Sequence, residues 1–120
     1  MPTLNPEIIE HYRIVGDIDT PIGIICERAD GTVIDVTGYT ITFSMTNDAG
    51  TLIVDGVAGA INDATTGKIT YTFVAADVDT AGIYWGYFHI DSGSGDLETF
   101  PPDGRKMMIV LSNLGKEAGT

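Results

Sequence analysis

The sequence predicts an all-β fold, an antiparallel β-sandwich of about seven to nine strands. Three observations carry that expectation. Turn signals built on Gly, Asp, Asn and Pro recur about every eight to twelve residues from His11 onward, the spacing of a sandwich or barrel. Thr, Val, Ile, Tyr and Gly abound while strong helix formers are scarce, which favours strands and turns. Two segments alternate cleanly: Tyr39, Ile41, Phe43 and Met45 against Thr40, Thr42 and Ser44, and Ile69, Tyr71 and Phe73 against Thr70 and Thr72. A period of two places one face of each strand in a core. At 120 residues the chain fits one domain, large enough to bury its own core without staples.

Residues 1–10 read as an arm set apart from the domain. Pro2 and Pro6 discourage regular structure, and Leu4, Ile8 and Ile9 offer apolar side chains to a neighbour or to the domain itself. His11 to Val15 is a first strand, closed by Gly16-Asp-Ile-Asp19, and Pro21 to Glu27 is a second. Ala29-Asp-Gly31 makes a hairpin turn in which glycine supplies a positive φ, leading to a strand over Thr32 to Val36. Tyr39 to Met45 follows, turned by Asn47-Asp-Ala-Gly50. Thr51 to Asp55 and Val57 to Ile61 are short and glycine-flanked, fit for sheet edges that could add to a partner's sheet. Asn62 to Gly67 leads into Ile69 to Phe73, and Ala75 to Asp79 fits one helical turn. Ile83 to Ile90 is a long aromatic strand, Ser92-Gly-Ser-Gly95 a turn, and Leu97 to Phe100 a strand pairing back. Pro101-Pro-Asp-Gly104 is a rigid bend before a final strand over Lys106 to Leu111. The sandwich is thus expected over residues 11–112, with 113–120 a polar tail.

The step from Asp79 to Tyr84, Asp-Thr-Ala-Gly-Ile-Tyr, resembles the corner of immunoglobulin-like sandwiches. In such a corner the tyrosine hydroxyl ties back to the backbone just upstream. The expected class is therefore an immunoglobulin-like antiparallel β-sandwich.

Charge narrows the partners. Asp and Glu number 17 against 6 Lys and Arg, a net charge of -11, which repels phosphate backbones and anionic lipid heads. Neither nucleic acid nor membrane is an expected partner. No apolar run approaches the roughly 20 residues that span a bilayer, and Met1-Pro2-Thr3 does not open a signal peptide. The single Cys26 has no intrachain partner and sits in the apolar run Ile22-Gly-Ile-Ile-Cys26, where it reads as a small buried hydrophobe. Synthesis in a reducing cytoplasm is the expectation.

Catalytic and metal readings find little to stand on. Asp17 and Asp19 in one loop and Asp77 and Asp79 in another are the only candidate calcium ligands, and neither loop has the regular spacing of a calcium motif. Aspartate is also the ordinary residue of turns. His11 and His89 lie on different strands, too few for zinc with Cys26 alone. There is no Gly-x-Ser-x-Gly elbow, no phosphate loop and no way to choose a catalytic carboxylate pair. No catalytic residue, metal site or cofactor is expected.

The aromatic strand offers a choice of faces. Tyr84 and Phe88 share one side with Gly86, and Trp85 and Tyr87 share the other with His89. Core packing is favoured for most of these rings, with Trp85 between the sheets and a bulge near Gly86 shifting the alternation. Otherwise Trp85 and Tyr87 are partly exposed and can stack on a sugar ring.

Read in order, several motifs form one pattern: Gly16-Asp-Ile-Asp-Thr-Pro21, Asp30-Gly31 through Val36-Thr-Gly38 to Phe43, Ile61 to Tyr71, Thr80-Ala-Gly-Ile-Tyr84 and Glu98-Thr-Phe-Pro101. This succession, covering about residues 13–111, resembles the amino-terminal domain of phage baseplate upper proteins and related immunoglobulin-like domains of tailed-phage structural proteins. Val36 stands where the pattern usually has Leu, and the chain ends after one domain where those proteins continue. The resemblance implies a non-enzymatic virion component of baseplate, tail or capsid surface, docking onto other virion proteins. The residues themselves agree: an acidic sandwich with an apolar-dotted arm is built to dock, and Leu4, Ile8 and Ile9 are the expected contact residues against a neighbouring subunit, with self-association in the particle. The alternative from the residues alone is a carbohydrate-binding adhesion module using Trp85 and Tyr87.

Overall fold

The computed structural model describes residues 7–27, 30–94, 97–101 and 105–113. Leu4, the Ala29 turn, the bend at 102–104 and the tail from 114 onward lie outside them, as does the side chain of Ile8. Among the described residues there are strands β1 (Glu7–Ile14), β2 (Ile22–Ile25), β3 (Thr40–Asn47), β4 (Leu52–Ala58) and β5 (Ala60–Asp63). They continue with β6 (Lys68–Tyr71), β7 (Gly82–Asp91), β8 (Leu97–Phe100) and β9 (Arg105–Ser112), and a 3-10 turn covers Ala75–Val78 between β6 and β7.

Two sheets pack face to face as an immunoglobulin-like sandwich. The larger runs β1-β9-β7-β3-β4, with β8 beside the far half of β7, and the smaller runs β2-β6-β5. Every strand pair is antiparallel except β1 with β9, which is parallel from Glu7↔Arg105 to Ile14↔Ser112. The expected alternations set the core. Ile41, Phe43 and Met45 from β3 and Ile69, Tyr71 and Phe73 from the β6 segment are buried between the sheets. Phe43 lies at the centre, stacked on Tyr71 at 4.6 Å between ring centroids and tilted against Phe88 at 4.8 Å. Such pairs add to area burial through the ring quadrupoles.

Three elements differ from the sequence reading, each for a local reason. Strand β1 begins at Glu7 rather than His11, because an unbroken parallel register with β9 draws Ile8 and Ile9 into the sheet. Thr32 to Val36 is not a strand; only Val33 bridges, to Glu27. Ile34 N–H donates to Cys26 O and Val36 N–H to Ala64 O, each at 2.9 Å. Two different acceptor segments cannot form one ladder, although Ile34 and Val36 are both buried. The break expected at Gly56 falls at Gly59 instead. Gly56 is a bulge residue at φ +61° whose N–H donates to Ser44 Oγ at 2.9 Å. Gly59 passes so close to the other sheet that a Cβ would lie 2.8 Å from Thr70 O.

Trp85 is the main correction. Strand β7 alternates without a break, with Tyr84, Gly86, Phe88 and Ile90 inward and Trp85, Tyr87 and His89 outward. Its register with β3 is continuous from Thr40↔Asp91 to Asn47↔Tyr84, so there is no bulge at Gly86. Gly86 is required where it stands, since a Cβ there would meet Phe43 Cζ and Ile109 Cδ1 at 2.9 Å each. Phe43 fills the space that an inward Trp85 would need.

Candidate functional site

The corner between the sheets is built for rigidity. Tyr84 O–H donates to Thr80 O at 2.6 Å, the contact expected from the Asp79-to-Tyr84 step. Upstream, the buried Asp77 carboxylate accepts from Tyr71 O–H at 2.7 Å and from Val74 N–H at 2.9 Å, fixing the 3-10 turn. Burial first, and then Asp77, push the Tyr71 hydroxyl well above its ordinary range. Gly16 N–H donates to Val78 O at 2.9 Å and ties the β1–β2 loop to this corner.

That contact brings the two aspartate loops together, but Asp77 is turned inward to Tyr71. Among the described residues no three His, Cys, Asp or Glu side chains converge as a metal site. His11 is on the inward face of β1, opposite the buried Ile109, while His89 is on the outward face of β7 with Nδ1 3.1 Å from Thr99 Oγ1. Cys26 is fully buried. Burial, and secondarily the charge of Glu98, push its thiol up to about 12, so little thiolate exists to attack anything.

Two concavities hold the other candidate residues. One lies on the outer face of the large sheet, about 450 Å³, and includes Trp85, Tyr87, Thr46, Thr99 and Lys106 in its walls. There Trp85 Nε1–H donates to Asp48 Oδ1 at 3.3 Å, and Lys106 Nζ stands 5.6 Å from the indole centroid. Tyr87 meets His89 edge to face at 5.4 Å. The second, about 530 Å³, runs over β2 and β6 of the small sheet, where Gly23, Ile25, Lys68 and Thr70 line it, and reaches Ile9 and Pro101 of the large-sheet side. Arg13 donates to Pro21 O at 3.3 Å. Of the three expected contact residues, Ile9 is thus placed, half-buried, in a groove.

That β2 is an edge strand of the small sheet, among the described residues, was not found by sequence reasoning. Its signal was present, because Ile22-Gly-Ile-Ile25 has no charge and no proline. Which strand stands beside it depends on contacts far apart in the chain.

Two facing sheets, a parallel β1–β9 pair and a tyrosine corner define the class, an immunoglobulin-like sandwich domain. A family model described as the BppU N-terminal domain matches residues 24–99. The chain belongs to that family, the amino-terminal domains of phage baseplate upper proteins. Among solved structures it is similar to the "N-terminal domain of phage TP901-1 ORF48", with a TM-score of 0.56, 16% identity and 92% of each chain covered. At that identity the likeness bears on the fold. No curated protein matches. Family membership assigns a structural role in a tailed-phage baseplate.

Proposed function

We propose that this domain is a non-enzymatic docking module that holds its protein in the virion by binding other virion proteins. The observation that carries this reading is the family match over residues 24–99. The surface supports it. Tyr12, Leu52, Ile83 and Leu97 leave large apolar side chains exposed, Tyr12 by 63% and Leu97 by 62%. Apolar positions of this kind suit protein contact. In this reading the protein is made in the host cytoplasm and assembles into the particle, several copies together, without nucleic acid or membrane contacts. Ile9 and the neighbouring Leu4 and Ile8 belong to the contact region. Mass spectrometry of particles assembled with either the unaltered chain or a Tyr12→Lys, Leu97→Lys double variant tests the proposal. The unaltered chain should be incorporated and the variant lost; equal incorporation of both would end it.

A second reading has one observation in its favour. Trp85 and Tyr87 line the outer-face groove beside the hydroxyls of Thr46 and Thr99, a mixture that can stack on and hydrogen-bond a sugar. It predicts glycan-array binding that Trp85→Ala removes, with particle incorporation unchanged. Binding that survives Trp85→Ala counts against it.

A further inference from the structure

A sheet with one face in the core is expected to be polar on the other. On β3 that holds, with Thr40, Thr42 and Thr46 outward. On β1, β9 and β7 it does not. Tyr12 stands opposite Val110, and Val110 opposite Ile83, so one outward row is apolar across three strands. The next row runs from Glu10 through Met108 and Trp85 to Thr46 and Leu52. Tyr12, Ile83 and Leu52 are exposed, while Met108, Val110 and Trp85 are half-buried. Adjacent rows of this kind form one contiguous patch, unlike apolar side chains scattered singly.

Charge is sparse here, although the whole chain carries -11. The two rows hold one acid, Glu10, whose carboxylate accepts from Tyr12 O–H at 3.0 Å. Asp48, at the border, accepts from the Trp85 N–H. The cation Lys106 lies one row further along β9, over the Trp85 ring, and shares the walls of the outer-face groove with Tyr87. The face is also large enough to matter. Five strands, eight residues long at β1, β9 and β3, span about 600 Å² before side-chain relief is added, near the roughly 800 Å² per partner of a standard interface.

We propose that this face pairs, sheet on sheet, with the same face of a second copy of the chain, about a two-fold axis that runs along the strands between β9 and β7. This rests on the docking reading above and names one of its partners. Such an axis keeps each row on itself while exchanging β9 with β7 and β1 with β3. Val110 then lies over Ile83 of the second copy, and Met108 over its Trp85, a favourable sulfur–ring contact. Lys106 comes over the second copy's Tyr87, a cation on a ring. Glu10 comes over its Thr46, whose hydroxyl can donate to the carboxylate. No acid of these rows faces an acid, which is what two copies of net charge -11 require. The other carboxylates repel at longer range, where salt screens them. A strongly basic partner would find little on this face to pair with. Contact of this kind is closed, so association stops at two.

The test is sedimentation equilibrium of the full chain, read together with the fluorescence of Trp85, its single tryptophan. Dimers should form as concentration rises, and in step Trp85 emission should shift to the blue and become shielded from acrylamide. Raising salt from about 50 mM to about 500 mM should tighten the dimer. Ile83→Lys, at a side chain already 42% exposed, should weaken it about tenfold or more, while Ile25→Lys on the small sheet leaves it unchanged. The fluorescence and salt readings need no variant, so they stand even if Ile83→Lys fails to fold. A chain that stays monomeric up to about 1 mM, a dimer that leaves Trp85 open to quencher, or equal loss from both variants overturns the proposal. So do weakening by salt and oligomers larger than two. Trp85 shielded only when other proteins of the particle are added would make one of those the occupant. If the chain is monomeric yet enters particles, this pairing falls while the docking function stands; a dimer that particles exclude does the reverse.

Discussion

The two flanks of the sandwich show opposite solutions to one problem. On the β4–β5 side a single strand path crosses from the large sheet to the small one at Gly59, whose N–H donates to Ile41 O at 2.9 Å. The glycine lets the chain pass within contact of Thr70, so the two sheets are sewn together and the edge is bulged against further pairing. On the β1–β2 side the connecting loop is longer and the sheets stand apart around a groove, bridged at one end by Arg13. The closed flank invests in stability. The open one leaves backbone and apolar surface for something else.

The largest effect that would break this contrast lies at Gly59. Gly59→Val forces side-chain atoms against Thr70 O and Ile41 Cγ2, and overpacking of that kind should cost about 2–3 kcal/mol in urea denaturation. The corner supplies a yardstick belonging to neither flank. Tyr84→Phe removes the hydroxyl bonded to Thr80 O and should cost about 1 kcal/mol. A Gly59 change costing less than this would mean that the closed flank is not held tight.

On the open flank the expected signature is a pH dependence. Burial, and then the nearby Arg13 charge, hold the His11 imidazole below its ordinary value of 6.5. As pH falls below that value the unfolded chain takes up the proton before the folded one, so stability contributed by neutral His11 is lost on acidification. His11→Gln should flatten the slope of melting temperature against pH just below neutrality; an unchanged slope would remove His11 from the account. The smallest effects sharpen the comparison most. Ile25→Lys and Leu52→Lys, on exposed side chains of the two edges, should each shift stability by less than about 0.5 kcal/mol. A large loss from Ile25→Lys would show that β2's outer surface is already committed to the fold.

What was legible in the sequence was local. The Tyr39-to-Met45 alternation, the 3-10 turn at Ala75–Val78 and the Tyr84 corner all depend on neighbours a few residues away. The misread parts depend on distant ones. Trp85 faces out because Phe43 and Ile109 already occupy the space opposite Gly86. Thr32 to Val36 looks like a strand by composition, yet its backbone is shared between Cys26 and Ala64. The start of β1 at Glu7 is set by β9, about a hundred residues later. For the same reason Ile9 could be singled out as an apolar side chain of the arm, while its place in β1 and the groove it lines could not be read.

The parallel pairing of β1 with β9 has a mechanical meaning. The backbone leaves β1 at Glu7 and β9 at Ser112, at opposite ends of an eight-residue ladder, about 25 Å apart at the usual rise per residue. Tension between the two ends slides the strands along each other in shear. Their hydrogen bonds then share the strain and must fail together, whereas a hairpin pulled from one end opens a bond at a time. A pull between the two ends of the described chain therefore loads this ladder along its whole length.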